Sequence, residues 1–139
     1  MTPEQFDSLV NHESGLLGVS ETSSDVRDLL AREDRDPRAA EAIALFVYAA
    51  RKAIGALAAA LGGLDVLVFS GGIGENAPAI RARICEGLGF LGIAIDGPSN
   101  QAGSSLISPA SGRVQVRIIP TDEERMMASQ ASTLLAPAG

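Results

Sequence analysis

The sequence predicts an α/β protein in which helices pack on a small mixed sheet. The first observation behind this class is a long helical pattern over residues 37–61. The second is an apolar run of strand length at 64–69, which leads through a glycine-rich stretch into another helical pattern. The third is a β-branched run at 114–119. Strands that alternate with helices in this way are typical of α/β folds.

Composition limits the kinds of protein that this chain can be. Of its 139 residues, 46% are hydrophobic and 20% charged, which predicts a folded domain with a buried core. The net charge of −6 argues against a nucleic-acid-binding surface. A single cysteine, Cys85, excludes an internal disulfide and a cysteine-based metal site. The longest apolar tract, at 53–61, is shorter than the ~20 residues of a membrane span, so we expect an acidic, soluble, cytoplasmic domain.

The first twenty residues predict one helix and one turn. Thr2 and Gln5 fit a capping box, and Pro3 between them fits the first helical position. We expect this helix to end near Asn11. The stretch 15–20 contains two glycines and shows no helical period, so it is predicted to be a turn with apolar anchors.

Two further helices are predicted before the first strand. The Ser-Ser-Asp stretch at 23–25 fits a helix start and leads into an apolar pattern. An Asp-Pro pair at 36–37 opens the longest helix, which is expected to run to about residue 61. The two glycines at 62–63 then provide its stop.

A strand is predicted at 64–69 because the run is aliphatic and β-branched. Only Asp65 interrupts it, so we expect the strand to be buried on both faces, as in a parallel sheet. A glycine loop at 70–76 follows this strand. The next helix has Pro78 in its first turn.

The last part of the chain predicts further strands and one more helix. A second short strand is expected at 90–95. The Gly-, Ser- and Pro-rich stretch 97–112 is expected to hold at most a short strand at 106–107. A strand at 114–119 comes next, and a capping box at 121–124 opens a final helix.

The glycine loop at 70–76 is the stretch that points most directly to a ligand. It leaves the carboxyl end of a strand, which is the edge at which open α/β sheets bind ligands. Its glycines let backbone approach a flat or charged group, and Asn76 can cap the following helix, whose free N–H groups favour an anion. A tight turn without a ligand explains such a loop equally well.

The same loop allows a different functional class. Residues 72–77 fit the loose dinucleotide fingerprint G-x-G-x-x-A, and Asp96 follows about twenty residues later, where a ribose-binding acid is expected. This alternative predicts an oxidoreductase that binds a dinucleotide. The fingerprint usually follows the first strand of its domain, whereas about sixty residues of predicted helix precede it here. A P-loop is excluded because no glycine loop ends in Gly-Lys-Ser or Gly-Lys-Thr.

Acidic residues at 122–124 have two interpretations. Acids in the first turn of a helix stabilise its dipole, and a glutamate there can also provide an oxygen ligand for Mg²⁺. One histidine, His12, and one cysteine give no convincing nucleophile–base arrangement.

Four separated segments together resemble acetate kinases. These segments are 11–20, 23–28, 59–76 and 118–124, and they stand in that family's order and at its spacing. The resemblance extends over nearly the whole chain but over only the carboxyl-terminal third or so of such a kinase. It implies the acetate and sugar kinase, Hsp70 and actin superfamily, whose domains are of the ribonuclease H type, here as a carboxyl-terminal half with added helices. Residues 1–139 would form the carboxyl-terminal nucleotide-binding domain, without the amino-terminal domain.

The resemblance also implies a reaction and a set of site residues. The reaction is phosphoryl transfer from ATP to acetate, which gives ADP and acetyl phosphate. Glu123 would match the family's magnesium-associated glutamate. The residues that would line the adenosine site are Asp25, Val26, Arg27, Gly72, Ile73, Gly74 and Asn76.

Two departures from the family's pattern are small and one is large. Glu21 stands where the family often has glycine, and Val26 where a larger residue is common. The family's catalytic residues and acetate pocket lie upstream of this chain, so we expect no catalytic residue within it and negligible activity from the chain alone. The resemblance leaves open whether the acid is acetate, propionate or butyrate.

An association module is a third possibility. Acetate kinases resemble other members of their superfamily in dimerising through the carboxyl-terminal domain, so a homodimer is expected. The long helix could allow close approach of a second copy, although ordinary packing against its own sheet explains the same composition. The small residues that it carries are Ala49, Ala50, Ala53, Gly55 and Ala56.

Overall fold

The computed structural model describes residues 1–122 and residue 127 of the chain. A π-helical turn, Leu9–Glu13, continues the first helix, and a 3₁₀ turn, Gly89–Leu91, follows the sixth. The helices and strands in this part are α1 (Pro3–Ser8), α2 (Gly15–Ser20), α3 (Val26–Leu30), α4 (Pro37–Leu61), β1 (Val66–Phe69), α5 (Gly71–Asn76), α6 (Pro78–Glu86), α7 (Gly97–Gln101) and β2 (Gln115–Ile118).

Local caps set the starts of α1, α3 and α4 as the sequence predicts. Thr2 and Gln5 form the predicted capping box at the start of α1. Asp25 caps α3, and Asp36 caps α4, each through its carboxylate and the amides of the first helical turn. The longest helix ends at Gly62, which adopts the left-handed conformation with φ of 74°.

The beginning of the chain contains more helix than predicted. The first helix does not end near Asn11 but continues as a π-helical turn to Glu13. The stretch 15–20 is the helix α2, and the predicted turn there is wrong. Gly15, with φ of 62°, reverses the chain after the π-helical turn, and the apolar residues that follow it then pack against the core as one helical face. Glu21 ends α2 in the left-handed conformation, with φ of 57°, where glycine is favoured.

The helix α4 supplies much of the core from one of its sides. Its buried residues include Ile43 and Val47, which belong to one core cluster with buried residues of α3, α6 and β2. The helix also exposes large apolar side chains, at Leu45, Tyr48, Leu57 and Leu61. By length and composition α4 could cross a membrane, but one such helix is weak support because core helices of soluble proteins pass the same test.

The sheet is small, and its two named strands run parallel. Val66 pairs with Gln115 at one end of the ladder, and Phe69 pairs with Ile118 at the other. The stretch 97–112 was expected to hold at most a short strand at 106–107. It instead contains the helix α7, and the expected strand is a single antiparallel bridge, between Leu106 and Arg117. The sheet is therefore mixed, as predicted, but its antiparallel part consists of this one bridge.

The prediction that β1 is buried on both faces is wrong. Phe69 is buried, but Val66 and Val68 are 43% and 44% exposed, because helices cover only one face of the strand. The carbonyls of Asp65 and Phe69 accept hydrogen bonds from β2 and the residue after it. In a parallel ladder the backbone groups alternate, so those of Val66 and Val68 point to the opposite edge, where no described residue pairs with them.

The second predicted strand, at 90–95, is also wrong. A 3₁₀ turn begins at Gly89, and Gly92 then takes the left-handed conformation, with φ of 87°. The extended residues after it make isolated hydrogen bonds, from Val114 to the carbonyl of Gly92 and from the amide of Asp96 to Ile107. Because the two hydrogen bonds join this stretch to two different segments of the chain, they do not form a β-ladder.

Candidate functional site

The first wall of the candidate site is α5, which replaces the predicted loop at 70–76. Gly71, with φ of 71°, turns the chain out of β1 into this short helix. A side chain at Gly74 would lie 3.2 Å from the carbonyl carbon of Phe69, so glycine allows α5 to pack closely on the end of the strand. A side chain at Gly72 would meet nothing within 4 Å. Gly72 therefore faces open space, as Gly71 does, whereas Gly74 packs against β1.

Asn76 does not cap the next helix as predicted. Its side-chain amide donates to the carbonyl of Gly72 at 3.0 Å, within α5 itself. The residue before α6 is Ala77, which has no side chain that could cap it. The amide of Asn76 therefore stabilises the backbone of the wall on which it stands.

The second wall is the start of α3. The carboxylate of Asp25 accepts from the amide of Arg27 at 2.8 Å and from its guanidinium at 2.6 Å. The Arg27 guanidinium and amide hold the pKa of Asp25 down, at about 2. Both side chains are exposed at the surface of the wall, whereas Val26 between them is 2% exposed and anchors it in the core.

These two walls enclose one cleft of about 520 Å³. Six of the seven residues predicted for an adenosine site line it, although about fifty positions separate the two groups along the chain. The seventh, Gly74, packs behind the wall against β1. Sequence reasoning missed Ser24 and Ala77, which are direct neighbours of predicted residues. The lining residues are Ser24, Asp25, Val26, Arg27, Gly72, Ile73, Asn76 and Ala77.

A buried arginine supports the carboxyl end of α5. Arg81 is 1% exposed, and its guanidinium donates to the carbonyls of Gly74 and Glu75, each at 2.8 Å. The same guanidinium donates to the side-chain and backbone oxygens of Asn100, at 2.8 and 2.7 Å. Burial lowers the pKa of Arg81. No sequence pattern predicts a role for this residue, because its acceptors are backbone and amide oxygens of other elements.

A carboxylate supports the amino end of α5. One oxygen of Glu75, Oε1, accepts from the amide of Gly71 and from both the amide and the hydroxyl of Thr121, each at 2.8 Å. These hydrogen bonds lower the pKa of Glu75, and the amide of Thr121 contributes most. The two turns that follow β1 and β2 are thus joined through one side chain.

The predicted magnesium ligand, Glu123, lies outside the described residues, as does most of the predicted final helix. Within the described part of the chain, no three His, Cys, Asp or Glu side chains form a group that could hold a metal ion. The described residues therefore do not test the proposed Mg²⁺ site, and the role of Glu123 as its ligand stays a prediction from sequence. Cys85 is buried, which raises the pKa of its thiol to about 12, so it is no ready nucleophile.

The architecture defines the class of protein. Structures that match this chain have the fold of acetate and sugar kinases, Hsp70 and actin. A crystal structure of acetate kinase from Porphyromonas gingivalis matches with a TM-score of 0.89 at 40% identity, over 97% of this chain and 35% of that one. A propionate kinase from Francisella tularensis matches with a TM-score of 0.85 at 32% identity, over 94% of this chain and 34% of that one.

The chain belongs to the acetokinase family, whose model matches residues 1–129. It is 49% identical to an acetate kinase from Rhizobium meliloti over 136 residues, which are 98% of this chain and 34% of that protein. It is 48% identical to a propionate kinase from Citrobacter rodentium over 128 residues, which are 91% of this chain and 32% of that protein. The chain thus spans about a third of the length of these relatives.

Family and fold overturn the dinucleotide alternative. The predicted ribose-binding acid, Asp96, accepts from the amide of Ser99 at 2.9 Å and caps α7. No strand of the described chain leads into it, because 90–95 is not a strand. The predicted kinase fold and family are confirmed.

Proposed function

We propose that this chain supplies the adenosine-binding part of an acetate kinase, which transfers a phosphoryl group from ATP to acetate and gives ADP and acetyl phosphate. In this proposal residues 1–139 are the carboxyl-terminal nucleotide-binding domain of a longer kinase. The observation that carries it is the single cleft between the start of α3 and α5, lined by residues proposed for this role on sequence alone. Family membership supplies the reaction class.

The chemistry of the cleft suits a nucleoside. Its volume of about 520 Å³ lies in the range of small-molecule sites. Backbone at Gly72, without a side chain, leaves room for a flat base, and Ile73 offers it an apolar contact. Asn76 and the Asp25–Arg27 pair provide polar groups around this apolar centre. A few polar groups around an apolar surface fix the orientation of a bound ligand.

The remaining steps of the reaction need groups that we expect outside this chain. Phosphoryl transfer depends on alignment, on Mg²⁺ and on positive charge around the transferred group. Of the described cations, only Arg27 lines the cleft. Bound Mg²⁺ would neutralise charge on the phosphates, and Glu123 is the residue proposed to hold it. The chain alone is therefore proposed to make no acetyl phosphate, because alignment requires both sides of the active-site cleft.

The acid substrate is proposed to be a short-chain carboxylate, with acetate first. Relatives of similar identity are named acetate kinase and propionate kinase. The residues that line this cleft are assigned to the nucleoside, so discrimination between the two acids would rest with the part of such kinases that this chain does not span.

Calorimetric titration with ADP, with and without Mg²⁺ and with NAD as the comparison ligand, tests the nucleotide proposal. ADP should bind more tightly than NAD, and Gly72→Val should weaken ADP binding at least tenfold by placing a branched side chain in the cleft. The matched control is Gly89→Val, because Gly89 also has open space around it but lies away from the cleft. Tighter binding of NAD, or wild-type affinity in Gly72→Val, would overturn the proposal.

A second proposal concerns association of two copies. The helix α4 exposes Leu45, Tyr48 and Leu57, and the small residues Ala49 and Ala53 are exposed on the same helix. We propose that this surface forms a homodimer contact. Sedimentation of the wild-type chain should show a dimer, and Leu57→Glu should shift it to monomer. A wild-type monomer at high concentration would contradict the contact.

A further inference from the structure

Glu75 joins two turns that belong to different strands. Its Oε1 oxygen takes three hydrogen bonds, one from Gly71 at the start of α5 and two from Thr121 after β2. The amide of Gly71 also donates to the hydroxyl of Thr121, at 2.9 Å, which closes the network. Since β1 and β2 are parallel neighbours, their carboxyl ends meet here, and the amide of Ile119 still donates to Phe69 at 3.0 Å.

The helix α5 needs such support because little within it favours a helix. Three of its six residues are glycines, which lose more conformational entropy on ordering than other residues do. Ser70, the residue before it, makes no side-chain capping hydrogen bond. The carboxylate of Glu75 reaches back to the amide of Gly71 and takes the place of that cap.

Glu75 does not itself line the cleft. The residues of α5 that do are Gly72, Ile73 and Asn76, which stand on the same short helix as Glu75. Any effect of the carboxylate on a ligand must therefore pass through the backbone that it holds. Its second partner, Thr121, stands two positions before the proposed magnesium ligand Glu123.

We infer that Glu75 is a positioning residue, which orders α5 for nucleotide binding and fixes it to the turn after β2 through Thr121. The inference rests on the proposed nucleotide site. A disordered wall would bind the same ligand with an affinity reduced by the fraction of molecules in which the wall is formed. A helix cap that serves only stability would lower the free energy of unfolding without a selective loss of ligand affinity.

The test compares Glu75→Ala, Glu75→Gln and Thr121→Val with the wild-type chain, and uses Glu86→Ala as the matched control. Glu86 is 81% exposed at its side chain and lies away from the cleft. ADP affinity should fall about tenfold in Glu75→Ala. Glu75→Gln, which keeps an oxygen acceptor at the same place, should recover most of this loss. Thr121→Val should weaken binding less than Glu75→Ala. The double variant Glu75→Ala/Thr121→Val should lose less than the sum of the two single losses, because both side chains act on the amide of Gly71.

Hydrogen exchange separates this inference from the proposed function. In Glu75→Ala the amides of residues 71–76 and of Thr121 should exchange at least tenfold faster, while those of α4 keep their wild-type rates. If the wild-type chain binds no ADP, the nucleotide proposal fails for the isolated chain, and the exchange rates still decide whether Glu75 orders α5. Unchanged exchange at 71–76, or additive losses of ADP affinity in the double variant, would overturn the inference.

Discussion

The two walls of the cleft are held in place in different ways. At the start of α3, Asp25 binds the amide and guanidinium of Arg27, two residues further on, and both side chains are exposed. At α5, the supporting groups come from far along the chain. Arg81 binds the carboxyl end of α5 together with Asn100, and Glu75 links the amino end to Thr121.

The two walls therefore differ in how much they depend on the rest of the fold. The α3 wall depends on a cap between near neighbours in sequence, so its surface residues can change without moving other elements. The α5 wall depends on α6, α7 and β2, because these elements carry its partners or lead into them. We therefore expect substitutions behind the two walls to differ in their effect on stability.

The largest contrast is expected between two arginines. Arg81→Met should lower the free energy of unfolding by about 3 kcal/mol, because it leaves the part-buried carbonyl oxygens of Gly74 and Glu75 and the buried one of Asn100 without their donor. Arg27→Met should change it little, since the Arg27 side chain is 83% exposed. Urea denaturation of both variants measures the contrast. Equal losses would show that the two walls are held alike.

A smaller contrast is expected between two glycines of the same wall. Gly74→Ala should cost about 1–2 kcal/mol of unfolding free energy, because the new methyl group would crowd the backbone of Phe69. Gly72→Ala should leave stability unchanged or raise it by about 0.5 kcal/mol, since alanine favours helix and meets open space there. Thermal unfolding of the two variants checks this order. A greater loss of stability in Gly72→Ala than in Gly74→Ala would contradict the close packing of Gly74 against Phe69.

The smallest effect concerns pH and the α3 wall. The pKa of Asp25 is lowered to about 2 in the folded chain, so its carboxylate contributes stability at neutral pH. This contribution should be complete above about pH 4, the range of an ordinary aspartate, and should disappear as the pH falls towards 2. Asp25→Asn keeps an N-cap but removes the charge.

The measurement is the difference in unfolding free energy between wild type and Asp25→Asn, followed by urea denaturation from pH 6 to pH 2. This difference should shrink as the pH falls. A difference that is constant over the range would mean that the cap, and not the charge, supports the wall.

The starts of α1, α3 and α4 were predictable because their cause is local. An aspartate can accept from amides two or three residues further on without any contact from distant parts of the chain. Both Asp25 and Asp36 cap their helices in this way. The glycine-rich stretch at 70–76 was predicted as a loop for the same local reason, since glycine disfavours helix. Its helical form depends on Glu75 and Arg81, whose partners lie in other elements.

Strand predictions failed where the answer depends on what covers or pairs with the chain. The apolar run at 90–95 has strand composition, but Gly92 turns it away from any ladder. Likewise the unbroken apolar run of β1 could not reveal that only one of its faces is covered. The approach of residues 24–27 to 72–77 had no local signal either, and it was anticipated through the family resemblance.

The uncovered side of β1 has a practical consequence for anyone who handles the chain in solution. Natural sheets shield their outer strands with lysine, proline or a bulge, and the run Val66–Phe69 contains none of these. Such a strand can serve as a template on which copies of the chain add edge to edge. We expect turbidity on concentration or warming to begin at this strand, and a single charged substitution at Val68 to delay it.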